Sequence, residues 1–171
     1  MGIESSEQNP GFQPSDQELA PNKMSSVGFL KEGQTLEKVV KRDKEALDVL
    51  GYTTQEIANL LEPIIQKSGR GGKFEYTAPN GKTYLVEAKQ WRGGQECPWH
   101  DHGEHGSIDM YFTEKGKTEK PFHIPGLIKH LIEKHDFFEG GDYRVAPEKL
   151  VEMFGLEKTP GSIEKAKKLK L

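Results

Sequence analysis

Cysteine is almost absent from this chain, and long apolar runs are absent altogether. Cys97 is the single cysteine among 171 residues, so no disulfide can form within the chain and a secreted fold held by disulfides is excluded. No apolar run approaches the roughly 18–20 residues of a membrane helix, and no apolar signal segment opens the sequence. These absences predict a cytoplasmic protein. Gly2 and Ser6 match the myristoylation template, but their acidic neighbours supply no second anchoring signal, and we take the match as coincidence.

An excess of positive charge is also missing. The formal net charge is −3 at pH 7, with 24 Lys and Arg residues against 27 Asp and Glu residues. Broad, non-specific binding to nucleic acid normally needs a basic face. The composition therefore argues against nucleic acid as a partner, and we expect a protein partner that the sequence does not identify.

The apolar residues are concentrated in the middle of the chain. Residues 1–26 contain hardly any and are rich in Pro, Ser, Gln and Glu, which predicts a disordered acidic arm. Residues 27–157 carry nearly all of them and are predicted to form one domain, within the common size range of roughly 100–150 residues. Residues 158–171 are predicted to be a solvated basic tail, because the last ten contain four lysines against one glutamate.

Two segments near the start of this domain have helical periodicity. The apolar residues of "TLEKVVKRDKEALDVL" recur at helical spacing and stop before Gly51, a typical C-terminal residue. Thr53 and Glu56 then stand in capping-box spacing, and Pro63 is expected to kink or end the second helix. "GYTTQEIANLL" resembles the scaffold helix of response-regulator helix-turn-helix proteins, which would imply DNA binding. After Leu61, however, the apolar stripe continues where a turn and recognition helix should follow, so a two-helix hairpin is predicted.

From residue 73 the apolar residues alternate with polar ones, the two-residue period of a β-strand. "KFEYTAPNGKTYLVEAKQW" predicts a β-hairpin with its turn at Asn80-Gly81, "SIDMYFTEKG" a third strand and "KPFHI" a fourth. "LIKHLIEKH" and "APEKLVEMFG" predict two short helices. The predicted fold class is α+β, with an N-terminal helical hairpin packed on a small antiparallel β-sheet of three to four strands, followed by two short helices.

Residues 96–109, "ECPWHDHGEHGSID", hold the cysteine and three of the six histidines. Cys97 and His100 have the two-residue gap of a metal knuckle, and His130 and His135 have the His-x3–5-His spacing of a zinc-bearing helix. Together they resemble a stretched Cys2His2 zinc finger, which implies a structural zinc site, and zinc favours a thiolate ligand. We therefore predict a zinc-stabilised interaction domain of a small bacterial type, with unknown cellular role and with Cys97, His100, His130 and His135 as the metal ligands.

Two other interpretations stay open from the sequence. The first is a small metal-dependent hydrolase or nuclease, in which a metal activates water and is held by His100, His102 and His105 with Asp101 or Glu104. The second is a fold without metal, since a histidine on an apolar helix face is more often a hydrogen-bonded core residue. A structural zinc site has four protein ligands, whereas a catalytic site keeps one position for water. The sequence alone does not decide whether the protein is an enzyme.

Overall fold

The computed structural model describes residues 11–101 and 105–171, without the side chains of residues 105 and 106. Along the chain its elements are α1 (Asp16–Leu19), α2 (Leu36–Leu50), α3 (Thr54–Ser68), β1 (Gly72–Thr77), β2 (Thr83–Glu96), β3 (His105–Glu114), β4 (Phe122–Ile124), α4 (Ile128–His135), α5 (Pro147–Phe154) and α6 (Ser162–Lys167). The predicted α+β class, with a helical hairpin packed on a small antiparallel sheet, is confirmed. No helix in the described part of the chain is long and apolar enough to cross a membrane.

The helical hairpin follows the stop and start signals of its sequence. Gly51 ends α2 in the left-handed conformation with φ +73°, which glycine adopts at little cost. Thr53 and Glu56 form the predicted capping box at the start of α3. The helix continues through Pro63 to Ser68, so it does not end at the proline.

The sheet pairs its strands in the order β1-β2-β3-β4, each antiparallel to the next. Its first turn is the predicted one, where Gly81 has φ +87° and the Ala78 N–H donates to the Lys82 carbonyl at 2.8 Å. The register aligns one apolar row across all four strands, formed by Phe74, Val86, Phe112 and Phe122. This row gives the sheet an apolar face for the helices to cover.

The buried side chains form two clusters. The main core lies between the sheet and the helices and includes Leu47, Leu50, Ile57, Leu61, Ile64, Val86, Met110, Phe112, Ile124, Ile132 and Phe154. The second core consists of Leu19, Phe29, Leu30, Leu36, Val39, Cys97, Leu127, Leu131 and Phe137. Helix α4 supplies residues to both cores, so it stands between them.

Residues 11–26 of the predicted acidic arm contain ordered structure. Helix α1 forms there, and Leu19 is fully buried in the second core. A carboxylate oxygen of Asp16 accepts a hydrogen bond from the Leu36 N–H at 2.7 Å and so ties the segment to the start of α2. One buried leucine and a few such bonds hold the segment although its composition is polar. The rest of the predicted arm, residues 1–10, lies outside the described residues.

The predicted basic tail also contains ordered structure. Helix α6 lies within residues 158–171, and Ser162 and Ala166 on it are buried. Its lysines leave one face free for packing, because side chains three and four residues apart share a face of a helix. The tail is therefore attached to the fold rather than wholly solvated.

Candidate metal centre

Two parts of the chain meet at a cluster of four possible metal ligands. The loop after β2 contributes Cys97 and Asp101, and α4 contributes His130 and His135. One ligand atom from each of these residues lies within 4.8 Å of the other three. Tetrahedral zinc with bonds of about 2.0–2.3 Å separates its ligand atoms by roughly 3.3–3.6 Å. The four atoms are therefore close enough for small side-chain movements to place them around one metal ion.

The contacts within this cluster converge on one oxygen atom. Asp101 Oδ2 lies 3.4 Å from Cys97 Sγ and 2.9 Å from His130 Nε2. It is also in hydrogen-bond contact with His135 Nε2, which in turn lies 3.5 Å from the cysteine sulfur. Three groups that each ligate metals thus compete for a single carboxylate oxygen, and a cation among the four atoms would satisfy all of them at once.

A tight turn brings Asp101 back towards Cys97. The His100 N–H donates to the Cys97 carbonyl at 2.9 Å, and His100 has φ +58°, in the left-handed region that is uncommon for residues other than glycine. Trp99, within the turn, stacks on the His135 imidazole with ring centroids 4.2 Å apart and planes 7° apart. The stacking fixes the orientation of the histidine ring.

The cluster is largely screened from solvent. Cys97 is 1% exposed and belongs to the second core. The side chains of His130 and His135 are each 12% exposed, and that of Asp101 is 21% exposed. The cluster therefore lies at the boundary between the second core and the surface.

The electrostatics of the metal-free cluster favour a protonated thiol. Burial raises the pKa of Cys97 to about 11, and the nearby Asp101 carboxylate adds to the rise. Burial also lowers the pKa of His135, against the opposing effect of Asp101. Although burial alone would raise the pKa of Asp101, hydrogen bonds from His135, Cys97 and His130 bring it below its usual value. A thiolate–metal bond would therefore form with loss of the Cys97 proton.

The structure brings together three of the four predicted ligands, namely Cys97, His130 and His135. His100 is not part of the group, and its ring packs on Phe12 with centroids 4.9 Å apart. Asp101 is the fourth member of the group, whereas the sequence pattern placed it only in the alternative loop site. The sequence does offer one indication of Asp101, because it directly follows His100, the second residue of the predicted metal knuckle.

The alternative site in the histidine-rich loop falls mostly outside the described geometry. His102 and Glu104 are outside the described residues, as is the side chain of His105. The backbone of His105 pairs with Glu96 at the start of β3.

The donor set of the cluster is one thiol, two imidazoles and one carboxylate. No protein-family model, curated protein or solved structure matches this chain. Sulfur and nitrogen ligands of this kind favour zinc and other late transition metals over magnesium or calcium, so a group of this composition could hold such an ion.

Proposed function

We propose that this protein is a zinc-stabilised binding domain in which Cys97, Asp101, His130 and His135 hold a structural zinc ion. The observation that carries the proposal is the convergence of four ligand atoms within 4.8 Å of one another. Four protein ligands complete a tetrahedral shell and leave no position for a reacting water molecule. The donor set therefore favours a structural ion over a catalytic one.

The proposed ion would connect the loop at residues 97–101 to α4. These two parts of the chain also contribute to the second core, through Cys97 from the loop and Leu131 from the helix. Metal binding at such a site adds directly to the free energy of folding. The ion would thus hold the second core closed, and the function of the domain would lie in what its surface binds. We propose a protein partner in the cytoplasm.

Metal content tests the ligand set. The full chain is purified without added metal, and its metals are measured by inductively coupled plasma mass spectrometry for the wild type, Asp101→Asn and His100→Asn. We expect about one zinc ion per chain in the wild type and in His100→Asn, and little in Asp101→Asn. If His100→Asn lost its zinc and Asp101→Asn kept it, the result would instead support the ligand set predicted from sequence. A metal-free wild type would refute the proposal.

Thermal unfolding with and without a chelator separates a structural ion from a catalytic one. We expect EDTA to lower the melting temperature of the wild type to that of Cys97→Ser, and to leave Cys97→Ser itself unchanged. If chelation leaves the melting temperature unchanged but abolishes hydrolysis of bis-p-nitrophenyl phosphate, the ion is catalytic and the hydrolase interpretation replaces this one.

A further inference from the structure

A cavity of about 430 Å³ lies on another side of the second core. Its walls are the segment at residues 24–29, the end of β2 at residues 91–95, and the loop that contains Glu139 and Tyr143. None of the four proposed zinc ligands is among its described lining residues. The volume falls within the range of small-molecule sites, about 300–1,000 Å³.

A β-bulge in β2 borders this cavity. The pairing of β2 with β3 shifts between Gln90 and Gln95, and Gly93 within the bulge has φ +74°. The irregular strand leaves the Trp91 side chain 53% exposed, while its Nε1–H donates to Asp109 Oδ2 at 3.0 Å. Bulges of this kind redirect side chains and are common beside functional sites.

Glu139 presents an uncompensated carboxyl group in the cavity wall. The residue is 3% exposed, and its Oε2 atom has no hydrogen-bond partner among the described residues. The Arg144 guanidinium is nearby, but it donates to the Glu139 backbone carbonyl at 2.7 Å and pairs with Asp43. Glu139 also has φ +60°, and such a conformation in a residue other than glycine is typical of functional sites.

The other acidic group of the cavity, Asp109, is firmly held. Its Oδ1 accepts from the Gly126 N–H at 3.0 Å, and its Oδ2 lies 3.4 Å from His123 Nε2. Burial alone would raise its pKa, but the nearby His123 imidazole and the hydrogen bonds from Gly126 and Trp91 bring the pKa below its usual value, so Asp109 is ionised at neutral pH. Burial and this neighbouring charge together raise the pKa of Glu139 well above its usual value.

Aromatic rings complete the cavity walls. His123 stacks on Tyr111 with centroids 4.8 Å apart, and it meets the edge of Tyr143 at 5.1 Å. Trp91 and Tyr143 are partly exposed at the cavity, with 53% and 38% of their surfaces accessible. Aromatic faces beside carboxylates are the surroundings in which proteins bind organic cations.

We propose that this cavity binds a small organic cation with an ammonium or guanidinium group, with Glu139 and Asp109 as its anionic partners and Trp91 and Tyr143 as its aromatic walls. Such a ligand supplies donors to the Glu139 carboxyl group in the cavity wall and balances the charge of Asp109. Arg92 also lines the cavity, but it is exposed, and solvent screens its charge. Among the described residues, the one group of three or more His, Cys, Asp or Glu side chains placed to hold a metal ion is the cluster of Cys97, Asp101, His130 and His135, so a bare metal ion is not the favoured occupant of the cavity.

Titration calorimetry on the full chain tests this proposal with agmatine, which carries both an ammonium and a guanidinium group. Neutral 1,4-butanediol is the control ligand, and two buffers of different ionisation enthalpy report proton release. We expect agmatine to bind, butanediol not to bind, and protons to be released as Glu139 ionises. The cavity also contains Asp109, His123, Tyr143 and Arg92, so the Glu139→Gln variant is needed to assign the proton.

Glu139→Gln should weaken agmatine binding by about tenfold or more, as expected for loss of a charged hydrogen-bond partner, and should abolish proton release. Asp142→Asn is the matched control, because it removes an exposed carboxylate from the same loop, and it should retain both. Trp91→Ala changes a partly exposed side chain and should weaken agmatine binding several-fold. This variant tests the same cavity independently if Glu139→Gln fails to fold. Absence of agmatine binding to the wild type, or equal binding by Glu139→Gln and the wild type, would overturn the proposal.

Discussion

Arg42 is a buried cation that connects three parts of the fold. Only 7% of its side chain is exposed, and its guanidinium forms a bidentate pair with Glu148 at 2.9 and 2.6 Å. It also contacts Asp43 at 3.1 Å and donates to the carbonyls of Ala166 and Leu169. Helices α2, α5 and α6 therefore meet at one side chain, and its loss leaves buried carboxylates with fewer partners.

We expect Arg42→Ala to lower the free energy of unfolding by about 3–5 kcal/mol, because removing one member of a buried ion pair leaves an uncompensated charge. The neighbouring Lys41→Ala is the control, since Lys41 is exposed, and it should change stability by no more than about 0.5 kcal/mol. Urea denaturation measures both. Equal effects of the two substitutions would mean that the buried network adds little to stability.

Glu139 should make the stability of the protein depend on pH. Its pKa is raised well above the usual value, first by burial and then by the charge of Asp109. Above the unfolded-state pKa, near 4.3, the unfolded chain loses this proton while the folded protein keeps it. Stability should therefore fall as pH rises towards the folded pKa, by at most about 1.4 kcal/mol per pH unit from this group.

We expect Glu139→Gln to remove this contribution, so that the variant is more stable than the wild type at pH 7 and nearly equal to it near pH 4. Urea denaturation across a pH series measures the difference. An unchanged pH dependence in the variant would contradict the assignment of a raised pKa to Glu139.

At the scale of the element, α1 shows how little apolar surface can attach a polar segment. Leu19 is fully buried, and its carbonyl accepts from the N–H groups of Phe29 and Leu30 at 2.8 and 3.0 Å. The segment thus folds back on itself and covers the second core. Its helix has only four residues, so tertiary contacts rather than intrinsic helix stability must hold it.

Leu19→Ala should lower the free energy of unfolding by about 2–5 kcal/mol, the usual effect of a large cavity in a core. Leu85→Ala makes the same change at a side chain that is 47% exposed, and it should cost less than about 1 kcal/mol. If Leu19→Ala lowers the free energy of unfolding no more than Leu85→Ala does, the segment does not contribute to folding, and the result would favour the predicted disordered arm.

The elements that the sequence revealed are those with repeated patterns. Helices α2 and α3 repeat their apolar residues over several turns, and Asn80-Gly81 leaves few alternatives to a tight hairpin. Helix α1 was missed because a single leucine produces no periodicity. At the metal centre, spacing alone could not distinguish His100 from Asp101, because the left-handed backbone at His100 determines which side chain faces Cys97.

At the scale of the whole molecule, the two cores differ in how they are held together. The main core is covered by an antiparallel sheet with a continuous hydrogen-bond ladder between β1 and β2. The second core is enclosed by α1, the start of α2, the loop at residues 97–101 and α4, which come from separate parts of the chain and meet through side-chain packing. Regions of this kind open locally at lower free energy than a sheet-based core. The proposed zinc ion would thus stabilise the part of the fold that most needs a cross-link.

Removal of the proposed zinc ion should therefore loosen the second core while the main core stays folded. Hydrogen–deuterium exchange, measured by mass spectrometry with and without EDTA, should become faster in α1, in residues 97–101 and in α4, and should stay slow in the β1–β2 hairpin. His100→Asn is the matched control, because it alters the same turn outside the group of four ligands, and its zinc-loaded form should exchange like the wild type. Uniform acceleration over the whole chain would make the ion essential to both cores, and no acceleration anywhere would contradict a structural role for it.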